Sequence, residues 1–334
     1  MVKNQLITEN YAIYESDCMY VMPTLADNSI DLSIYSPPFC GLYNYSSHDN
    51  DFSNCETKEQ FLQQYEFLIS EIARVTKPGR ITAVHVQDII GKDGNLWDFP
   101  HYTKELHHKY GFVHRNTITI WKEPLKVRMR TMVKSLMHKL IVEDATECYT
   151  AMPDYVLIFK KKGINEVPVT HEKGLSKYYG DTPILPMMKD KYGTFEQLKE
   201  KYKDHKDPKT NKLSHIIWQR YASSVWDDIR IDNVLKFKEG RDEDDEKHVH
   251  PLQQDVICRL VELYSNPNEI VLTPFMGVGS EVYGAVTNGR KGIGIELKDT
   301  YFRQSVKNLQ GCELITDDTK LPELFDNTED EEML

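Results

Sequence analysis

Short strand-like runs alternate with helical ones along almost the whole chain, and this rhythm leaves few folds open. Residues 12–16, 31–35, 81–87, 112–121, 155–160, 269–273 and 292–296 read as strands: short, apolar or alternating, and rich in β-branched and aromatic side chains. Helical patterns lie between them at 58–75, 103–110, 127–140, 252–264, 280–287 and 300–310. The first of these puts Phe61, Leu62, Tyr65, Leu68, Ile69, Ile72 and Val75 on one apolar stripe. "TKPGR" (76–80) then closes that helix and turns into the next strand. Seven strands separated by helices predict an α/β domain built on a mostly parallel sheet with helices on both faces. In such sheets ligands bind at the carboxyl ends of the strands.

One stretch breaks the rhythm. Residues 163–225 are rich in Lys and Tyr and weakly periodic, and they read as a lobe inserted into the sheet domain. The expected organisation is therefore 1–162 and 226–312 as two halves of one domain, 163–225 as the insertion, and 313–334 as a disordered acidic tail. The net charge of −11 is unevenly spread. The tail holds nine acids and one Lys, and "EGRDEDDEK" (239–247) is a second acidic block. In contrast, 122–139 carries six Lys/Arg against one Glu, and 160–212 carries thirteen Lys against eight acids. A chain that is acidic overall can thus still present a basic surface to a polyanion. The six cysteines are scattered and form no CxxC pair or Cys/His cluster, which favours reduced thiols in a cytoplasm and no structural metal. No apolar run approaches the length of a membrane span, and the N-terminus lacks the apolar core of a signal peptide.

Two segments carry chemistry. "DLSIYSPPF" (31–39) is a strand that ends in Ser-Pro-Pro-aromatic, a corner stiffened by two prolines behind a small hydroxyl. "NEIVLTPFMGVGSEVYGAVTNGRKGIGIELKDTYF" (268–302) is a strand, a Gly-rich turn, a helix, a second strand and an acid. Gly277 and Gly279 allow a tight turn and close approach of a ligand, and Glu296 can accept ribose hydroxyls. By itself this unit suits a nicotinamide enzyme equally well.

Together the two segments resemble the DNA amino-methyltransferases. Ser36-Pro37-Pro38-Phe39 resembles their Asp/Ser/Asn-Pro-Pro-Tyr/Phe catalytic motif, and "LTPFMGVGS" (272–280) resembles their S-adenosylmethionine motif. The catalytic motif comes first here, the permuted order of the β class. "YESDCMYVMPTLADNSIDL" (14–32) and "HPLQ" (250–253) are also similar, and the likeness is greatest to phage and prophage methylases. The resemblance implies a Rossmann-like methyltransferase sheet, S-adenosyl-L-methionine as cofactor, DNA as partner and no metal. It further implies a cofactor site formed by Asp17, Cys18, His250, Gln253, Thr273, Pro274, Phe275, Met276, Gly277, Gly279, Ser280, Glu296 and Leu297. Ser36 and the Pro37 carbonyl would accept hydrogens of an exocyclic amine, and Phe39 would stack on the flipped base. The basic run is expected to form one helix that places Lys126, Arg128, Arg130, Lys134 and Lys139 against phosphates. The oligomeric state is open, a homodimer included.

Two departures from the family pattern matter. Thr273 stands where the cofactor motif usually has Asp, and Ser36 stands where adenine enzymes often have Asp. A Ser is more typical of cytosine-N4 enzymes, which favours cytosine N4 over adenine N6. The Thr273 departure also suggests an alternative, a non-catalytic DNA-binding or decoy protein with a degenerate site.

Overall fold

Burial of alternating strand faces and of helical stripes builds a three-layer α/β arrangement. The structure, a computed structural model, describes residues 1–38, 52, 55, 57–90, 95–131, 136–240 and 251–312. In chain order the strands are β1 (Asn4–Ile7), β2 (Tyr11–Glu15), β3 (Ile30–Tyr35), β4 (Thr76–Val86), β5 (Ile89–Ile90), β6 (Leu96–Trp97), β7 (Phe112–Ile120), β8 (Asp154–Lys161), β9 (Val225–Trp226), β10 (Ile270–Thr273) and β11 (Lys291–Glu296). The helices are α1 (Cys18–Val21), α2 (Lys58–Val75), α3 (Phe99–Lys109), α4 (Pro124–Thr131), α5 (His138–Glu143), α6 (Lys189–Tyr192), α7 (Phe195–Tyr202), α8 (Lys212–Tyr221), α9 (Gln254–Tyr264), α10 (Ser280–Thr287) and α11 (Asp299–Gln310).

The main sheet has nine strands in the order β1-β2-β11-β10-β3-β4-β8-β7-β9. From β2 to β4 every pairing is parallel, whereas β8 runs antiparallel to both β4 and β7. All seven strands expected from sequence are present. The count is nine rather than seven because two edge strands join: β1, in an antiparallel hairpin with β2, and the two-residue β9, parallel to β7. Neither carries a periodic apolar signal of its own, so pairing with a neighbour defines them.

Helices cover both faces. On one side α2 buries Phe61, Tyr65, Leu68, Ile69, Ile72 and Val75 completely, each contributing roughly 1.5–3 kcal/mol of burial. The Thr57 hydroxyl caps its N-terminus by accepting from Gln60 N, and the Thr76 hydroxyl donates to the Ile72 carbonyl at the other end. On the opposite face α9, with Val256, Ile257, Leu260 and Val261, packs over β3, β4, β7 and β8. There α10 and α11 close the β2–β11 side with Val282, Tyr283, Phe302 and Leu309.

The single helix expected over 127–140 is not formed. Two shorter helices, α4 and α5, occupy the region, and Met137 before α5 is extended. Leu125, Met129, Ile141 and Val142 are exposed, so no buried face enforces one long helix. Within 163–225, Leu175, Ile184, Leu198, Leu213, Ile216, Ile217 and Tyr221 pack together in a small cluster that touches Leu263 of α9. Residues 313–334 lie outside the described residues.

Candidate active site

The parallel strands β2, β11, β10, β3 and β4 end at one edge of the sheet, and both sequence motifs lie there. β10 runs into the turn 274–279 and β3 into Ser36-Pro37-Pro38, so the two motifs leave neighbouring strands. Phe275 of the turn packs against Tyr35, with ring centroids 6.2 Å apart.

The turn is fixed from β11. Met276 N donates to the Ile295 carbonyl at 2.8 Å, and Gly277 N donates to Glu296 Oε2 at 2.7 Å. The other oxygen of Glu296 accepts from Lys298 N at 2.9 Å. Gly277 and Gly279 both have left-handed backbones, at φ 53° and 95°. A Cβ on Gly277 would point into open space, leaving room for a ligand against the backbone. At Gly279 it would lie 3.2 Å from the Ser305 side chain, so this glycine serves the approach of α11. Ser16 N donates to the Glu296 carbonyl, which sets Asp17 beside the same turn; one Asp17 oxygen caps α1 through Met19 N at 2.8 Å. Cys18 is buried, and burial, followed by the Asp17 charge, pushes its thiol far above the ordinary range. That makes it packing rather than a nucleophile.

The residues present offer the polar contacts that S-adenosylmethionine needs. Thr273 Oγ1, Ser280 Oγ and Gln253 Oε1 are buried with no protein partner among the described residues. Buried polar atoms are normally satisfied, so a ligand or water is the expected partner at such positions. Pro274 and Met276 are buried, and Leu297 is half-buried after Glu296. Glu281, in the first turn of α10, is buried; burial first, then the Glu296 charge, raises its carboxyl to about 8. His250 and Phe39 lie outside the described residues.

Sequence reading missed what stands behind Ser36. Ser36 Oγ is 3.1 Å from His85 Nδ1 at the end of β4. His85 Nε2 is 3.1 Å from Asp154 Oδ2 at the start of β8, at ion-pair distance but short of a straight hydrogen bond. The other oxygen of Asp154 accepts from Lys122 Nζ at 2.6 Å, just past β7. Burial alone would raise the Asp154 carboxyl, but Lys122 and His85 overcome it and hold the group well below the usual carboxylate range. Four groups from four successive strands thus form a row along the edge. Their separations in sequence hide them, although a His and an Asp at strand termini of the same edge are a usable signal.

The basic residues are only partly assembled. Lys126 on α4 and Lys139 on α5 are exposed, and Arg128 is half-buried. Lys139 pairs with Glu143 at 3.3 Å. Lys134 and the side chain of Arg130 lie outside the described residues. A 350 Å³ cleft beside α4 is lined by Trp121, Lys126 and Arg230 but also by Glu123, Asp181, Asp227 and Asp232. With more acids than bases, it is no phosphate groove. Among the described residues no cluster of His, Cys, Asp or Glu could hold a metal ion, and no helix is long and apolar enough to cross a membrane.

Comparison with known proteins accords with this geometry. The DNA methylase family model, of the N6/N4 methyltransferase type, matches residues 30–307. The type II methyltransferase M.BglII of Bacillus subtilis is 25% identical over 306 residues, spanning 90% of this chain and 69% of its own length. Among solved structures, PvuII DNA methyltransferase (cytosine-N4-specific) has a TM-score of 0.58 at 13% identity, covering 96% of this chain and 92% of its own. TTHA0409 of Thermus thermophilus, complexed with S-adenosyl-L-methionine, has a TM-score of 0.54 at 18% identity, over 89% of this chain and 93% of its own. The family match runs through both motifs and across the sheet edge that joins them, and the chain belongs to the DNA methylases, the S-adenosylmethionine-dependent N6/N4 methyltransferases of DNA.

Proposed function

We propose that this protein methylates the exocyclic amine of a base flipped out of DNA, with cytosine N4 as the acceptor and adenine N6 as the competing assignment. The observation that carries the reading is a neutral Ser36 at the end of β3, one strand from the glycine turn that follows β10. An exocyclic amine is a poor nucleophile because its lone pair is delocalised into the ring. Ser36 Oγ and the Pro37 carbonyl accept its hydrogens, which lets the nitrogen pyramidalise and turn its lone pair outward. Pro37 and Pro38 fix these acceptors in advance, so little reorganisation accompanies reaction. Phe39 supplies a ring on which the flipped base stacks.

Asp17, Cys18, His250, Gln253, residues 273–277, Gly279, Ser280, Glu296 and Leu297 would hold the cofactor, with Glu296 taking the ribose. When bound, S-adenosylmethionine supplies an activated methyl group, so the chain's own task is to place the amine and receive its proton. The segment 163–225 would carry target recognition, and Lys126, Arg128, Arg130, Lys134 and Lys139 would meet phosphates. A non-catalytic reading is disfavoured by the open space over Gly277 and by the bond from Gly277 N to Glu296 despite Thr273.

Mass spectrometry of nucleosides from a methylation-deficient bacterium expressing the protein tests this. N4-methylcytosine is expected with wild type and not with Ser36→Ala. N6-methyladenine instead would refute the base, and no modified base would refute the activity.

A further inference from the structure

We propose that His85 is the proton acceptor of the methyl-transfer reaction, reached through the Ser36 hydroxyl and supported by Asp154 and Lys122. The proposal rests on the methyltransferase reading above and goes beyond it by naming a base.

The chemistry creates the need. When the nitrogen's lone pair forms the new carbon–nitrogen bond, the carbon–sulfur bond breaks with its electron pair left on sulfur. The nitrogen then carries a positive charge and must lose one proton. A carboxylate in place of Ser36 could accept that proton itself. A hydroxyl cannot retain it at neutral pH, because a protonated hydroxyl is strongly acidic. Ser36 can only take the proton from nitrogen while releasing its own, and the atom placed to receive it is His85 Nδ1 at 3.1 Å. The N–H bond breaks, with its pair returning to the ring system of the base. A new Oγ–H bond forms, the old one breaks, and His85 becomes an imidazolium.

The surroundings of His85 suit that role. Its side chain is 13% exposed, and Asp154 at 9% lies 3.1 Å from Nε2, an arrangement that favours the Nε2–H tautomer and leaves Nδ1 as the acceptor. Lys122 holds the second Asp154 oxygen and fixes the carboxylate in its ionised form. α9 contributes Leu252, Val256 and Ile257, and its Asp255 is engaged by Arg230 and Asn233. Tyr155 and Asp88 belong to the neighbouring positions on β8 and after β4; the Tyr155 hydroxyl is raised by burial, then by Asp88, Asp98 and Asp154. The arrangement follows the order of a Ser-His-Asp triad, but here it would remove a proton from a product rather than activate the serine as a nucleophile.

The experiment compares wild type, His85→Gln and Ser36→Ala in single-turnover transfer of radiolabelled methyl groups to unmethylated genomic DNA from pH 5.5 to 9. Nitrogen-detected NMR of the histidines and calorimetric titration with S-adenosylmethionine accompany it. The wild-type rate should rise with pH and then level off, as expected for a base that must be unprotonated to act. His85→Gln should lower the plateau by about 10²-fold and flatten the rise, with cofactor affinity unchanged. NMR of cofactor-free wild type should show His85 with Nδ1 unprotonated, and the Nδ1 signal should move in Ser36→Ala. The relay is overturned if His85→Gln keeps the wild-type pH profile with a rate within about twofold, or if His85 carries its proton on Nδ1. An active wild type with an unaffected His85→Gln refutes the relay alone; a wild type that transfers no methyl group refutes the enzyme reading and the relay with it.

Discussion

Removing the guanidinium of Arg259 tests how firmly the 163–225 segment is joined to the sheet. Arg259 lies on α9 with its side chain 0% exposed, and its partner Asp228 is 2% exposed. Its Nη2 is 2.6 Å from Asp228 Oδ2, and its Nε donates to the Tyr179 carbonyl at 2.7 Å. The rings of Tyr178, Tyr221 and Trp226 surround the guanidinium at 5.4, 4.9 and 4.9 Å. Even Gly180 is shaped by this group, since a Cβ there would lie 2.4 Å from Arg259 Nη2. Tyr178 and Tyr179 come from the 163–225 segment, so the arginine bolts that segment to α9.

Breaking a buried ion pair from one side costs about 3–5 kcal/mol, because the other charge stays buried. Here Asp228 keeps Arg220 at 3.2 Å and the Tyr178 hydroxyl, which moves the expected loss for Arg259→Ala toward about 3–4 kcal/mol. Unfolding entropy near 2.1 cal/mol/K per residue gives about 0.7 kcal/mol/K for 334 residues, so Tm should fall by about 4–6 °C. Urea unfolding followed by tryptophan fluorescence measures the loss, and a double-mutant cycle with Asp228→Asn measures the coupling. A loss below about 1 kcal/mol, or additive single effects, would refute the bolt.

Four further outcomes are expected. Glu296→Gln should weaken S-adenosylmethionine binding by about 1.5–3 kcal/mol in calorimetry, since one of two carboxylate oxygens that orient the turn and ribose becomes an amide. Gly277→Ala should cost about 1–2 kcal/mol in stability from its left-handed backbone, yet lose more than that in cofactor affinity because its Cβ fills the open space over the turn. Glu281→Gln should stabilise the protein at pH 8 but not at pH 4. The folded carboxyl is raised from 4.5 to about 8, so ionisation in the unfolded chain costs stability progressively across that window, with a ceiling of about 5 kcal/mol visible in urea midpoints. Replacing Lys126, Arg128 and Lys139 together with Glu should lower DNA affinity and flatten its salt dependence by about 0.9 in logarithmic slope for each phosphate no longer neutralised, while cofactor affinity holds.

Sequence carried the strands well because each of the seven has its own apolar run, and both faces of the sheet are covered, so tertiary packing reinforced the local pattern. It failed where local pattern and packing disagree. Residues 127–140 look helical by spacing, but Leu125 and Met129 are exposed, and the chain is extended at Met137. The motif residues were legible because a strand end fixes where they must sit. His85, Asp154 and Lys122 were not, because their relation to Ser36 is created by the β3-β4-β8-β7 order, with β8 reversed, and no spacing in the chain encodes that order.

The same sheet edge accounts for Thr273. Thr273 pairs with Gly294, two residues before Glu296 on β11, and is 1% exposed. A carboxylate at this position would be buried on the strand beside the one that ends in Glu296, whose charge, after burial, already raises the Glu281 carboxyl. Like charges brought together out of water raise one another's pKa or destabilise the fold. The task of holding the glycine turn is meanwhile done from the next strand, by Glu296 on Gly277 N. With the turn fixed by Glu296, a threonine keeps a polar atom at position 273 without adding a second negative charge beside it. The departure from the motif therefore need not mean a degenerate site, since the burden of the missing carboxylate lies on a neighbour that the sheet register places within reach.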